Sequence, residues 1–134
     1  MNSDPLLISG KYWKISLNRY ETKARIGAYQ HERLLPQRLR LNVSVYVEKG
    51  AAPVSELSEV FNYDRVIEAI EAVVQEGHID LQETLLERTA ERLLKYPEVA
   101  AVQIGSEQTD AYSKAESIGV EAFFSKDKER IKTE

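Results

Sequence analysis

The sequence contains no cysteine and only two histidines, His31 and His78, which are far apart in the chain. Without cysteine there are no disulfides, no thiolate nucleophiles and no cysteine-ligated metal sites. A catalytic zinc site generally needs three protein ligands, often histidines at helical or strand spacing. Two separated histidines do not form such a set, so we predict no metal site.

Long apolar runs are also absent, since none approaches the roughly 20 residues that span a bilayer. The first residues, Met1 to Pro5, have neither the basic segment nor the apolar stretch of a signal peptide. The formal net charge of −4 argues against a nucleic-acid binder, because neutralising phosphates requires a basic face. We therefore expect a cytoplasmic protein that binds neither membranes nor nucleic acid.

The length and composition fit one globular domain. The chain has 134 residues, of which 43% are hydrophobic and 30% charged. That is enough to bury a core but too short for two domains. We predict a single domain over residues 1–134, with flexible ends at 1–10 and 125–134.

Four segments have the character of strands, and the clearest is Arg38 to Val47. In this segment apolar and polar residues alternate strictly, which predicts one buried and one polar face. Burial on one side is typical of antiparallel sheets. The other predicted strands are Lys14–Ile26, Val99–Ile104 and Ile118–Phe124.

Two helices are predicted between the second and third strands. The first begins at Asn62 or Asp64, has apolar residues at three- and four-residue spacing, and stops at Gly77. Asp80 with Glu83 is close to a capping box and predicts the start of the second helix. The order of elements favours an α+β fold, a four-stranded antiparallel sheet with two helices on one face. Its two open edges could be closed by joining sheets of several subunits into a barrel.

Three polar residues are candidates for a site, each with a simpler structural explanation. By position alone, Glu32 is a solvated loop residue, and Tyr63 is an aromatic packed at a helix start. Glu87 lies one turn into the second helix, with Glu83 and Glu91 four residues to either side. Like charges at that spacing weaken a helix slightly, which favours a function for Glu87 as much as a solvated acidic face.

Taken in order, several short blocks resemble the dihydroneopterin aldolase family. They run from Ile26 to Phe124 with family-like separations: Ile26-Gly27-Ala28-Tyr29 followed by Glu32, Phe61-Asn62-Tyr63, Leu85-Leu86-Glu87-Arg88 and Ile118-Gly119-Val120-Glu121. The resemblance implies that four antiparallel strands and two helices assemble through their sheets into a ring-shaped homo-tetramer, usually stacked in pairs as a homo-octamer. It also implies active sites at the subunit interfaces.

The resemblance further implies roles for individual residues. Glu87, with Leu86, would bind the pterin, since a carboxylate offers two acceptors to the ring N–H and the exocyclic amino group. Tyr63 would come from the neighbouring subunit and act in proton transfer. Glu32 would hold water or the side-chain hydroxyls near the reacting carbon. No cofactor is required, because the conjugated pterin ring accepts the electrons of the broken bond.

Gln108 departs from the family pattern, which has a lysine at this position close to the substrate's side-chain hydroxyl. Glutamine donates a hydrogen bond but does not act as a base. General acid–base catalysis typically contributes about 100- to 10,000-fold, so this catalytic position is altered. Lys114 is the nearest residue that could replace the base, although an exposed loop lysine is the commoner situation.

The sequence thus predicts a lyase that converts 7,8-dihydroneopterin, or a close relative, into 6-hydroxymethyl-7,8-dihydropterin and glycolaldehyde in folate-type pterin biosynthesis. A dihydroneopterin or dihydroneopterin triphosphate epimerase is one alternative. A paralogue that binds a pterin or purine without turnover is the other, and Gln108 favours it. The phosphorylation and stereochemistry of the pterin stay open at this point.

Overall fold

A computed structural model describes residues 4–29, 35–56 and 60–126. The strands form a single antiparallel sheet in the order β1-β2-β3-β4. This confirms the predicted α+β fold. The elements are α1 (Pro5–Ile8), β1 (Tyr12–Ala24), β2 (Gln37–Glu48), α2 (Asp64–Val74), α3 (Gln82–Leu94), β3 (Val99–Gln108) and β4 (Ile118–Ser125).

The core lies between α2, α3 and one face of the sheet. The alternating residues of β2 supply its centre, and α2 and α3 contribute their apolar stripes to the same cluster. Burying a large aliphatic side chain fully stabilises the fold by about 1.5–3 kcal/mol. The strict alternation in β2 therefore decides which face of the sheet receives the helices. The fully buried residues of β2 on this face are Leu39, Leu41, Val43 and Val45.

The start of the chain covers part of the opposite face. Leu6 of α1 is buried against Tyr46 of β2, and Asp4 accepts hydrogen bonds from the Tyr46 hydroxyl at 2.6 Å and from Lys14 Nζ at 2.8 Å. Burial and the bond to Asp4 raise the pKa of Tyr46. This polar cluster and the buried Leu6 hold the first described residues against the sheet, and the flexibility of residues 1–10 stays a prediction.

The two longer helices begin differently. The Asn62 side chain accepts the Asp64 N–H at 3.0 Å, which agrees with the predicted start of α2. The predicted capping box at α3 is wrong. The helix begins at Gln82, with Leu81 in the N-cap position and no side-chain cap. Asp80 is therefore one residue too early to cap it, and its carboxylate instead lies 3.3 Å from His78 Nε2.

Both edges of the sheet are open in the described part of the chain, because the outer sides of β1 and β4 pair with no strand. Within the chain, Tyr20 of β1 donates to Glu71 of α2 at 2.5 Å and ties the edge strand to the helix layer. Burial and this hydrogen bond raise the pKa of Tyr20 to about 12. None of the described helices has both the length and the apolar character needed to cross a membrane.

Gly119 allows β4 to lie close to β3, and Gly119→Ala is expected to destabilise the fold. A Cβ atom at this position would be 2.3 Å from the Ser106 carbonyl oxygen, so the backbones would have to separate. Overpacking of this kind costs about 1–3 kcal/mol, measurable as a lower urea midpoint. Gly50→Ala is the control, since nothing lies within 4 Å of a Cβ there. Equal midpoints for both variants would contradict this account.

Candidate functional site

The apolar core row of β3 becomes polar at the end of the strand. Alternate residues of a strand share a face, so Ser106 and Gln108 lie on the same helix-facing side as Ile104. Both are buried, with exposed fractions of 4% and 8%. Gln82, the first residue of α3, contacts both of them. The core therefore ends in a small polar cluster beneath the start of a helix.

A short chain of hydrogen bonds connects this cluster. Ser106 Oγ donates to Gln82 Oε1 at 2.6 Å, and Gln82 Nε2 donates to the Ile118 carbonyl at 3.3 Å and to Gln108 Oε1 at 3.4 Å. Gln108 Nε2 is buried and has no acceptor among the residues that the structure describes. A buried donor without a partner costs about 1–3 kcal/mol, so this amide is a candidate contact for a ligand.

The segment after β1 forms the facing wall and is fixed by the residues before α3. His78 Nε2 lies 2.8 Å from the Gly27 carbonyl oxygen and donates to it. The Gly27 N–H donates to the Ile79 carbonyl at 3.0 Å. Gly27 has a φ of 129°, a backbone angle that glycine adopts readily and that residues with a Cβ atom rarely adopt. Gly27 is thus held firmly just after the end of β1.

These walls enclose an open pocket of about 560 Å³, within the size range of small-molecule sites. Two exposed aromatic residues, Tyr29 and Tyr112, line it together with Gln108. The charged side chains among its described lining residues are Asp80 and Glu83, and neither lysine nor arginine is present there. The pocket suits a neutral or cationic ligand with a planar part, and its described residues supply no basic amine.

A second pocket, of about 370 Å³, lies between α3 and β4, where Glu87 and Glu91 face Phe124. Helical spacing of four places Glu83, Glu87 and Glu91 on one side of α3. Glu83 lines the first pocket, so the two pockets follow the same side of the helix along β4. Glu87 is exposed and makes no hydrogen bond or ion pair with any described residue.

The other predicted site residues lie elsewhere. Tyr63 is 68% exposed at the start of α2 and lines neither pocket. Lys114 is also exposed and also lines neither pocket. The Leu86 side chain is in the core, so its place in a ligand site stays a prediction. Glu32 lies outside the described residues. Within one chain, Gln108 and Glu87 therefore lie on the same side of α3, and Tyr63 lies away from both of their pockets.

The sequence did not reveal Gln82, which lines the pocket, or Ser106 and His78, which support its walls. The alternation of β3 is a possible signal for Ser106, because every second residue after Ile104 lies on the same face of the strand. Gln82 and His78 have no comparable signal, because their roles depend on packing between distant segments. In the part of the chain that is described, no group of three or more histidine, aspartate or glutamate residues could hold a metal ion.

The family model for dihydroneopterin aldolase (FolB) matches residues 15–123. A dihydroneopterin aldolase from Burkholderia thailandensis, solved bound to guanine, is 32% identical, with a TM-score of 0.79 over 93% of this chain and 98% of that one. The Escherichia coli dihydroneopterin aldolase, solved with neopterin, shares the fold at 21% identity, with a TM-score of 0.74 over 84% and 98% of the two chains. Curated protein sequences give no match. The chain belongs to the dihydroneopterin aldolase family.

Proposed function

We propose that the protein is a pterin side-chain aldolase that cleaves 7,8-dihydroneopterin, or a close relative, to 6-hydroxymethyl-7,8-dihydropterin and glycolaldehyde. Family membership supports a dihydroneopterin aldolase-like or related pterin-binding function. The observation that carries the proposal is Glu87, an exposed carboxylate on the β4 side of α3 that has no partner among the described residues.

Glu87 has the chemistry to recognise the ring. A pterin presents a ring N–H and an exocyclic amino group side by side, and a carboxylate accepts both in a bidentate contact. Guanine presents the same pair of donors, and the Burkholderia relative is solved with guanine bound. A carboxylate on α3 that reads this edge would suit either ring.

The cleavage needs proton transfer but no cofactor. A base removes the proton of the side-chain hydroxyl on the far side of the bond that breaks, and that carbon becomes the aldehyde of glycolaldehyde. The bond electrons pass into the conjugated ring, and a proton then returns to the carbon that stays attached to it. Because Gln108 does not titrate, we assign the proton transfers to Glu32 and Tyr63 and a hydrogen-bonding role to Gln108.

Tyr63 enters this scheme from a neighbouring subunit. It is exposed and lines neither pocket of its own chain, while the open edges of β1 and β4 invite pairing between chains. We therefore expect a homo-tetramer or homo-octamer in solution, to be tested by light scattering. A monomer at micromolar concentration would contradict a site that is shared between subunits.

Binding without turnover is the second candidate function, and the described pocket lining favours it in one respect. Gln108 is neutral, and no lysine or arginine accompanies it among those lining residues. A protein of this kind would keep the ring contact of Glu87 but release no product.

One set of assays separates these functions. The aldolase proposal predicts glycolaldehyde release from 7,8-dihydroneopterin, together with binding of neopterin in a fluorescence titration. Inversion of the side chain without release would instead identify an epimerase. Binding with neither reaction would identify the non-catalytic protein, and absence of pterin binding would reject the pterin site itself.

A further inference from the structure

We propose that Ser106 and Gln82 fix the orientation of the Gln108 amide, so that its NH₂ group is the one offered to a ligand in the 560 Å³ pocket. The site would therefore select pterins that place an oxygen acceptor against this wall. The inference rests on the proposed function, because the ligand class is taken from it.

The direction of each hydrogen bond in the cluster follows from one backbone group, the Ile118 carbonyl. The Ile118 carbonyl can only accept, so the end of Gln82 that lies 3.3 Å from it is the NH₂ group. The oxygen end of Gln82 then faces Ser106 Oγ, which donates to it at 2.6 Å. The atom of Gln108 that lies 3.4 Å from Gln82 Nε2 must in turn be an acceptor, its Oε1. Nε2 is left for another partner.

That remaining donor is unsatisfied within the described part of the chain. Gln108 Nε2 is shielded from water and has no acceptor among the described residues, although Gln108 lines the pocket. Since a buried donor is costly when left unpaired, a ligand acceptor that reaches Nε2 after a small shift of its neighbours offsets that cost.

The donor is neutral, and the charged residues described in the pocket lining are the acids Asp80 and Glu83. The partner that fits is a carbonyl or hydroxyl oxygen. A hydroxyl that accepts from Nε2 directs its own proton away from Gln108. The group that takes this proton during turnover would therefore lie on another wall of the site.

Fluorescence titrations with 6-formylpterin and with unsubstituted pterin test this assignment, because the formyl oxygen accepts but does not donate. The measured quantity is the ratio of the two affinities. Gln108→Leu is expected to lower the preference for 6-formylpterin about tenfold, the effect of one hydrogen bond to a buried group. A ratio that this substitution leaves unchanged would overturn the proposal.

Gln82→Glu tests the orientation itself. A carboxylate only accepts, so Gln108 would turn its NH₂ group towards residue 82 and present its oxygen to the ligand. The ratio should again fall about tenfold, but the same substitution should have no further effect when Gln108→Leu is already present. Gln75→Glu, at the exposed residue after α2, makes the same charge change away from the pocket and should leave the ratio unaltered.

The double-variant cycle separates orientation from charge. If Gln82→Glu changes the ratio equally with and without Gln108→Leu, the effect is electrostatic and the proposal is overturned. Should Gln82→Glu fail to fold, Ser106→Ala replaces it and is expected to lower the ratio about threefold by freeing the Gln82 oxygen. An unchanged ratio for that variant would equally contradict the proposal.

Unsubstituted pterin distinguishes this inference from the function on which it rests. If no form of the protein binds it, the unaltered chain included, both proposals are wrong. If every form binds it and the ratio of the two affinities is the same in all of them, the proposed orientation of the Gln108 amide is wrong. The proposal of a pterin site then still holds.

Discussion

Glu87→Gln is expected to weaken the binding of neopterin about thirtyfold. The substitution places an NH₂ group where the ring edge needs an acceptor, so a donor faces a donor. Loss of a charge-assisted pair costs about 2 kcal/mol, which corresponds to that factor in the dissociation constant. The helix itself should tolerate the change, because Glu87 is exposed and makes no contact with a described polar partner that would be lost.

Fluorescence titration of both forms with neopterin measures the effect. Glu116→Gln is the matched control, since Glu116 is exposed in the connection before β4 and lines neither pocket. An equal loss in the control would indicate a general effect of protein charge. Unchanged affinity in a folded Glu87→Gln protein would remove Glu87 from the site and weaken the pterin assignment as a whole.

The fold could be predicted from the sequence because its main determinants are local and periodic. The alternation in β2 and the helical spacing in α2 follow from the geometry of strands and helices, and the structure places those residues in the core. The burial of Tyr46 was not predictable in this way. Tyr46 lies on the polar face of β2, and Leu6 and Asp4 help to cover it where the start of the chain returns across the sheet.

Element ends were harder to predict for the same reason. The apolar residues predict that the third strand stops at Ile104, yet β3 continues to Gln108. Ser106 and Gln108 remain inside because Gln82 satisfies most of their polar groups. Such compensation comes from a residue distant in sequence, so composition within the strand gives no sign of it.

The site residues named from the sequence stay a prediction. Gln108 and Glu87 line two different pockets, which lie along the same side of α3. Tyr63 lies in neither, and its proposed role depends on a second chain. The sequence of one chain specifies such an interface only through its open strand edges.

Gln108→Lys is expected to increase the rate of glycolaldehyde release at least 100-fold, the lower part of the usual range for a general base. The side chain at this position is 8% exposed, and burial disfavours the charged form of an amine. The carboxylates of Asp80 and Glu83 in the same pocket act in the opposite direction.

Rates measured against pH and substrate concentration test this. Because the neutral amine is the base, the added rate should rise with pH through the pKa of the new lysine. A lysine also donates hydrogen bonds, so kcat should change more than KM. Lys114→Ala is the control and should leave the rate nearly unchanged, since Lys114 is exposed and lines neither pocket.

If Lys114→Ala abolished the natural activity, the base would have moved to that residue, and the protein would be an aldolase with a rearranged site. A different result would reject catalysis altogether. When release is undetectable in the natural protein, stays undetectable in Gln108→Lys, and neopterin still binds both forms, the missing lysine is not what limits the reaction. The pocket would then serve to bind a pterin rather than to cleave it.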